Sequence, residues 1–232
     1  MTEDDVSRPV MPPAVRGVWG MIAAVAALVT GVLGVLYAGS GEPGGVDGRI
    51  GRAAYGVEAP WRHVALATDF LGEPVGAGLL VVAAVAGCLL LRSARAAVLA
   101  VLGPGLAVGA TKLLKPVVGR TIHDGHLAYP SGHTAFLTAL ALVVALLVAG
   151  RRRRGPAAGT ALVLGAALAA GAAMGWAQVA LGAHYPSDAL GGWCVALAVA
   201  PAGAWLVDRA ADQRAAGRGA GRASDATRPA AH

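Results

Sequence analysis

Charge is what this chain has least of. Only 14% of its 232 residues are charged and 56% are hydrophobic, with a mean hydropathy of +0.61. A soluble domain carries about 25% charged residues, so the shortage argues against one and for a polytopic membrane protein. Cysteine is nearly absent as well. Cys88 and Cys194 both lie inside apolar runs, which suits small buried hydrophobes better than a disulfide framework. No Cys/His spacing of the familiar metal-binding kinds occurs, and no repeat of a solenoid kind. The net charge of +6 and pI near 10 do not imply a nucleic-acid partner. The arginines stand in short blocks between hydrophobic runs, where membrane orientation requires them.

What is present is a series of apolar runs. The length suits about six spans of ~20 residues each, so the expected fold is all-α, a bundle of six transmembrane helices. Residues 1–16 read as a disordered tail and 17–208 as one six-span domain, followed by a basic disordered tail at 209–232. The first run, 17–39, is long and follows Glu3, Asp4 and Asp5, which favours a retained span over a cleaved signal. Residues 40–74 are too polar to span, although 58–71 can form an interfacial amphipathic helix anchored by Trp61. Further spans are expected at 75–91, 95–114 (loosened by Gly103-Pro104-Gly105), 131–150, 156–178 and 188–207. The pair Gly171 and Gly175 has small-xxx-small spacing, which says little in so glycine-rich a chain.

Lysine and arginine set the orientation. With the N-terminus inside, thirteen basic residues are inside: Arg8, Arg16, Arg92, Arg95, the four at 151–154, Arg209, Arg214, Arg218, Arg222 and Arg228. Six are outside: Arg49, Arg52, Arg62, Lys112, Lys115 and Arg120. The asymmetry predicts that both termini are cytoplasmic. It also puts the polar clusters 112–133 and 182–188 together on the extracytoplasmic side.

Those clusters can do chemistry. His184 and Asp188, four apart, share a helix face, so the carboxylate can hold one imidazole nitrogen and leave the other free as nucleophile or base. Taken alone, Asp188 also fits a helix cap. Ser131-Gly132-His133 opens a span, where helix N-terminal N–H groups and a glycine admit an anion and His133 can give a proton to a leaving oxygen. The same residues also fit an ordinary helix start. Lys115 and Arg120 can neutralise a tetrahedral anion or anchor at the membrane edge. His63, His123 and His126 read as loop residues without partners, and Asp124 lies among them. The cations nearby suit an anion better than a metal.

Pro130-Ser131-Gly132-His133 and His184-x3-Asp188, in that order, resemble the type 2 phosphatidic acid phosphatase superfamily of membrane lipid phosphatases, related to the vanadium haloperoxidases. The resemblance covers roughly 75–205. It implies metal-independent hydrolysis of an isoprenyl or glycerolipid phosphate or diphosphate, undecaprenyl diphosphate among them, without a cofactor. His184 would form a phosphohistidine, Asp188 would orient it and His133 would protonate the leaving oxygen. Lys115, Ser131 and Gly132 would hold the phosphate. Two positions depart from the pattern. Ile122-His123 stands where Arg-Pro is expected, so Arg120 is expected to supply that guanidinium. Ala177-Gln178 stands where Ser-Arg is expected. The alternatives are a non-catalytic relative that binds anionic lipid head groups, or a phosphotransferase. The partners expected are membrane lipids and a lipid phosphate substrate.

Overall fold

Six apolar runs separated by short polar loops should give a helical bundle, and they do. The computed structural model describes residues 9–10, 16–123, 125–152 and 155–226, so most of the leading tail, Asp124, Arg153, Arg154 and the last six residues lie outside the description. The elements are α1 (Arg16–Leu36), α2 (Gly45–Ala54), α3 (Trp61–Phe70), α4 (Pro74–Leu90), α5 (Ala94–Val118), β1 (Thr121–Ile122), β2 (His126–Leu127), α6 (Gly132–Arg151), α7 (Pro156–Ala180) and α8 (Pro186–Ala226). The two strands form one short antiparallel hairpin. Among the described residues, α1, α5, α6, α7 and α8 are long and apolar enough to cross a membrane. A sixth span results if α3 and α4, bent by 65° at their junction, are taken as one.

The core is α5, α6 and α8, with α1 against α8, α4 against α5, and α7 against α6. Small side chains let these helices approach: Ala100, Ala139 and Ala196 are fully buried beside Leu99, Leu142 and Val143. Gly171 and Gly175 turn out to matter. A Cβ at Gly171 would stand 2.2 Å from the Trp193 ring of α8, and one at Gly175 would stand 3.1 Å from Ala189. The outer faces carry Met21, Val25, Leu28, Leu79 and Leu168, the apolar exposure a lipid-facing surface needs.

Three boundaries differ from the sequence reading. The helix expected to stop at 114 runs through Pro104 and Pro116 to Val118. It ends at Gly119, whose φ of 65° is the left-handed cap that glycine adopts without a Cβ penalty. The mixed segment 40–74 holds α3, inside the stretch expected to be helical at 58–71, and a further helix, α2, that was not expected. The residues after 208, assigned by composition to a tail, continue α8 as helix to Ala226. Alanine and arginine there are strong helix formers.

Loops now meet at one end. Thr121 N–H donates to the Ser40 carbonyl (3.0 Å) and Gly56 N–H to the Ala180 carbonyl (3.2 Å). The segments 37–60, 119–131 and 181–185 therefore share one end of the bundle. At the other end Arg95, just past the α4–α5 turn, pairs with Asp208 and Asp212 of α8.

Candidate active site

Two helix starts build the site. Ser131 is the N-cap of α6, its Oγ accepting from the Thr134 N–H (3.4 Å) and hydroxyl (3.2 Å). Its own hydroxyl hydrogen remains free to donate. At α8, Pro186 occupies the first turn and Asp188 reaches back, its Oδ2 accepting the Tyr185 N–H at 2.9 Å. That is the reciprocal half of a capping box. The two starts are joined directly, because Ser131 N–H donates to the Asp188 carbonyl at 2.9 Å. Glycine makes the junction possible, since a Cβ at Gly192 would stand 2.2 Å from the Ser131 carbonyl oxygen.

Asp188 also faces His184. Its Oδ2 lies 3.6 Å from His184 Nδ1, beyond hydrogen-bond length but within ion-pair reach. The opposite nitrogen, Nε2, is thereby left for chemistry. His184 is 9% exposed. Burial holds its imidazole below the usual histidine range, with Lys115 and His133 pushing the same way and Asp188 opposing. A neutral ring is what a nucleophile needs.

His133, second residue of α6, meets a wall the sequence did not announce. Its Nε2 lies 3.4 Å from Glu73 Oε1 and 3.8 Å from Asp69 Oδ1, and is buried with no hydrogen-bond partner. The α3–α4 elbow presses on the ring, for a Cβ at Gly72 would reach within 2.2 Å of His133 Cδ2. The donor atoms of Asp69, Glu73 and His133 all lie within 4.8 Å of one another, a set that could hold a metal ion. Gln178, buried in α7, donates through Nε2 to Asp69 Oδ1 at 2.5 Å. Lys115 is half-buried and donates to the Leu127 carbonyl at 2.7 Å. Gly132 opens α6, and a Cβ there would stand 3.5 Å from the Thr111 hydroxyl oxygen.

Arg120 is placed otherwise than expected. It is fully buried, with Nη1 donating to Asp188 Oδ1 (2.8 Å) and Ser187 Oγ (2.5 Å), and Nη2 to Asp47 Oδ2 (2.7 Å). Its guanidinium carbon lies 3.9 Å from the Tyr37 ring centroid and 4.5 Å from that of Tyr185. Both terminal nitrogens are committed to protein partners while Nε is buried without one, and Ile122, where the family arginine is expected, is itself buried in β1. The reason is geometric. The left-handed turn at Gly119 carries the chain inward directly after α5, toward the start of α8.

No sequence signal marked Asp47, Asp69 or Glu73 for a role. All three lie in short helices or an elbow whose composition reads as loop, so no periodicity marks them. His123 and His126 do have partners. His123 Nε2 pairs with the Gly182 carbonyl (2.9 Å), pinning the hairpin to the α7–α8 loop, and His126 Nδ1 pairs with the His123 carbonyl (3.1 Å). His63 is exposed on α3.

Two cavities border the helices that build the site, the first on His184 itself and the second on none of the site residues. One of about 310 Å³ opens on His184 and is bounded by Asp47, Arg52, Tyr55, His123 and Gly182. Another of about 420 Å³ lies between α1, α5 and α8, lined by Gly34, Leu114, Val118, Tyr129 and Val195.

Residues 77–212 match the model of the PAP2 superfamily. A crystal structure described as the first transmembrane PAP2 type phosphatidylglycerolphosphate phosphatase, from Bacillus subtilis, is similar in fold. The TM-score is 0.63 at 23% identity, covering 83% of this chain and 96% of that one. No curated protein matches this chain.

Proposed function

The chain belongs to the PAP2 superfamily, and from that premise we propose that it is a membrane lipid phosphatase working through a phosphohistidine on His184. The observation that carries this is the His184–Asp188 pair. Asp188 faces Nδ1, which leaves Nε2 to attack, while burial keeps the ring neutral. In the first step the His184 Nε2–P bond forms and the P–O bond to the lipid breaks. His133 gives its proton to the departing alkoxide, and Asp188 stabilises the cationic phosphoimidazole. In the second step His133 takes a proton from water as the water oxygen bonds to phosphorus. The N–P bond breaks and phosphate leaves.

Lys115, the Ser131 hydroxyl and the Gly132 N–H at the start of α6 hold the phosphate oxygens. With Arg120 committed elsewhere and Gln178 neutral, the anion rests mainly on one lysine and on helix-terminal donors. The apolar cavity between α1, α5 and α8 gives a lipid chain a place beside the head group. The substrate class is a glycerolipid or isoprenyl phosphate. The basic-residue asymmetry puts both termini in the cytoplasm and the site at the extracytoplasmic face of the cell membrane, with residues 17–208 as the working unit.

One observation favours a second reading, a relative that binds head groups without turnover: Gln178 and Ile122 stand where the family has arginines. A single experiment separates the two. Purified protein in detergent is given phosphatidylglycerolphosphate, phosphatidic acid and isoprenyl mono- and diphosphates with excess chelator, with His184→Ala as control. Phosphate release that survives chelation and disappears in the variant is the expected result. Release unchanged in His184→Ala sinks the mechanism, and head-group binding without release on any lipid supports the second reading.

A further inference from the structure

We propose that Asp47 and Arg120 are positioning residues for the His184–Asp188 pair, and that α2 is therefore a working part of the active site. The inference rests on the phosphohistidine reading above, but its evidence is separate and lies partly outside residues 77–212.

The chain of contacts is continuous. Asp47 on α2 is 2% exposed, and its Oδ1 accepts the Ser187 N–H at 2.9 Å. Its Oδ2 accepts both the Ser187 hydroxyl (2.7 Å) and Arg120 Nη2 (2.7 Å). Arg120 Nη1 in turn donates to Asp188 Oδ1 at 2.8 Å. Asp188 then has one carboxylate oxygen tied to the guanidinium and the other turned to Tyr185 N–H and His184 Nδ1. With Oδ1 held by Arg120 and Oδ2 by the Tyr185 N–H, rotation of the carboxylate is restricted at both oxygens, and Arg120 supplies the charged half of that clamp. Arg120 is fixed by Asp47 and by contact with the rings of Tyr37 and Tyr185.

Charge gives a second reason. Two carboxylates and one guanidinium, all at most 2% exposed, leave the cluster with one net negative charge. A buried net charge is costly when nothing offsets it. The cation that forms on the His184 ring when phosphorus bonds to Nε2 arises 3.6 Å from Asp188, where the cluster's negative charge favours it. The cluster is thus better matched to the phosphorylated state than to the resting one, which is the condition for speeding the chemical step. Arg120 adjusts that match. Without it the site would carry two negative charges, and Asp188 would lose the partner that holds Oδ1.

The test uses the full-length protein in detergent with whichever lipid phosphate it hydrolyses. Asp47→Asn is nearly isosteric, and Arg120→Lys keeps the charge but loses the fork that bridges two carboxylates. Each is checked for folding by size-exclusion profile and thermal midpoint, then assayed for kcat, KM and the rate of acid-labile phosphohistidine formation. A positioning role predicts a kcat and labelling rate lower by about 10- to 100-fold with KM within about twofold, since neither residue touches the phosphate. On an Asp188→Asn background the Asp47→Asn change should cost little more, because the residue it acts through has already lost its charge.

A folded Asp47→Asn or Arg120→Lys protein with wild-type kcat would overturn the proposal, as would a full multiplicative loss on Asp188→Asn. A large rise in KM at constant kcat would overturn it in favour of direct phosphate contact. If one variant does not fold, the other decides. Activity persisting in His184→Ala would instead sink the underlying mechanism, so the two failures are distinguishable.

Discussion

His184 is the residue on which most depends, and its titration is testable. Burial, aided by Lys115 and His133, holds it below the ordinary histidine value of about 6.5. In the folded chain it stays neutral into a range where an unfolded chain would already be protonated. The unfolded state then binds more protons below about pH 6.5, so stability falls as pH drops from there toward the folded value and levels off beneath it. The thermal midpoint of the wild type should fall between pH 7 and pH 5 by more than that of His184→Asn, which cannot titrate. An equal fall in both would remove His184 as the cause. For the same reason kcat/KM should hold up below pH 6.5 before its acid limb descends. Gln178 gives a second test at this scale. Arginine there would meet Asp69, which Gln178 already contacts at 2.5 Å, and would be neutralised by it. Gln178→Arg alone should leave KM within about twofold, whereas Gln178→Arg with Asp69→Asn should lower KM by about 10-fold, the worth of one charge-assisted contact of about 1.5 kcal/mol. Initial-rate kinetics on both proteins decides.

Among the elements, the junction of α6 with α8 carries the site, and glycine sets its spacing. A methyl group at Gly192 would stand 2.2 Å from the Ser131 carbonyl oxygen, a backbone atom that cannot swing aside. Gly192→Ala should therefore cost about 1–3 kcal/mol of stability. It should also lower kcat more than tenfold, by pushing His184 away from the Ser131-Gly132-His133 turn. Gly165 in α7 is the control, with nothing within 4 Å of a built Cβ. Gly165→Ala should be neutral or stabilise by up to about 1 kcal/mol. Thermal melts and turnover on both proteins check the pair, and equal effects would contradict the account. The elbow between α3 and α4 belongs to the same argument, for Gly72 lets its backbone lie on the His133 ring and sets Asp69 and Glu73 beside it.

For the whole molecule, the bundle was legible because spans need long apolar runs, and such runs survive in composition whatever packs against them. Ser131, Gly132, His133, His184 and Asp188 were legible because their order and spacing are local. Arg120 was misplaced because its partners, Asp47 and Asp188, lie 73 and 68 residues away, and no local pattern records a buried ion pair of that range. Asp47 was invisible for a related reason, standing among glycines that read as loop yet fold into α2. Orientation depends on the whole chain too, through the excess of arginine at the end of the bundle away from the site. Ala183, exposed beside His184, and Arg152, exposed between α6 and α7, lie at opposite ends. The two native cysteines are buried, so a single new thiol can report its side. In sealed vesicles of cytoplasmic-side-in orientation, Ala183→Cys should react with a membrane-impermeant maleimide before lysis, and Arg152→Cys only after it. The reverse pattern would turn the site toward the cytoplasm and set aside the positive-inside argument for this chain, because arginine would then be concentrated on the outer face.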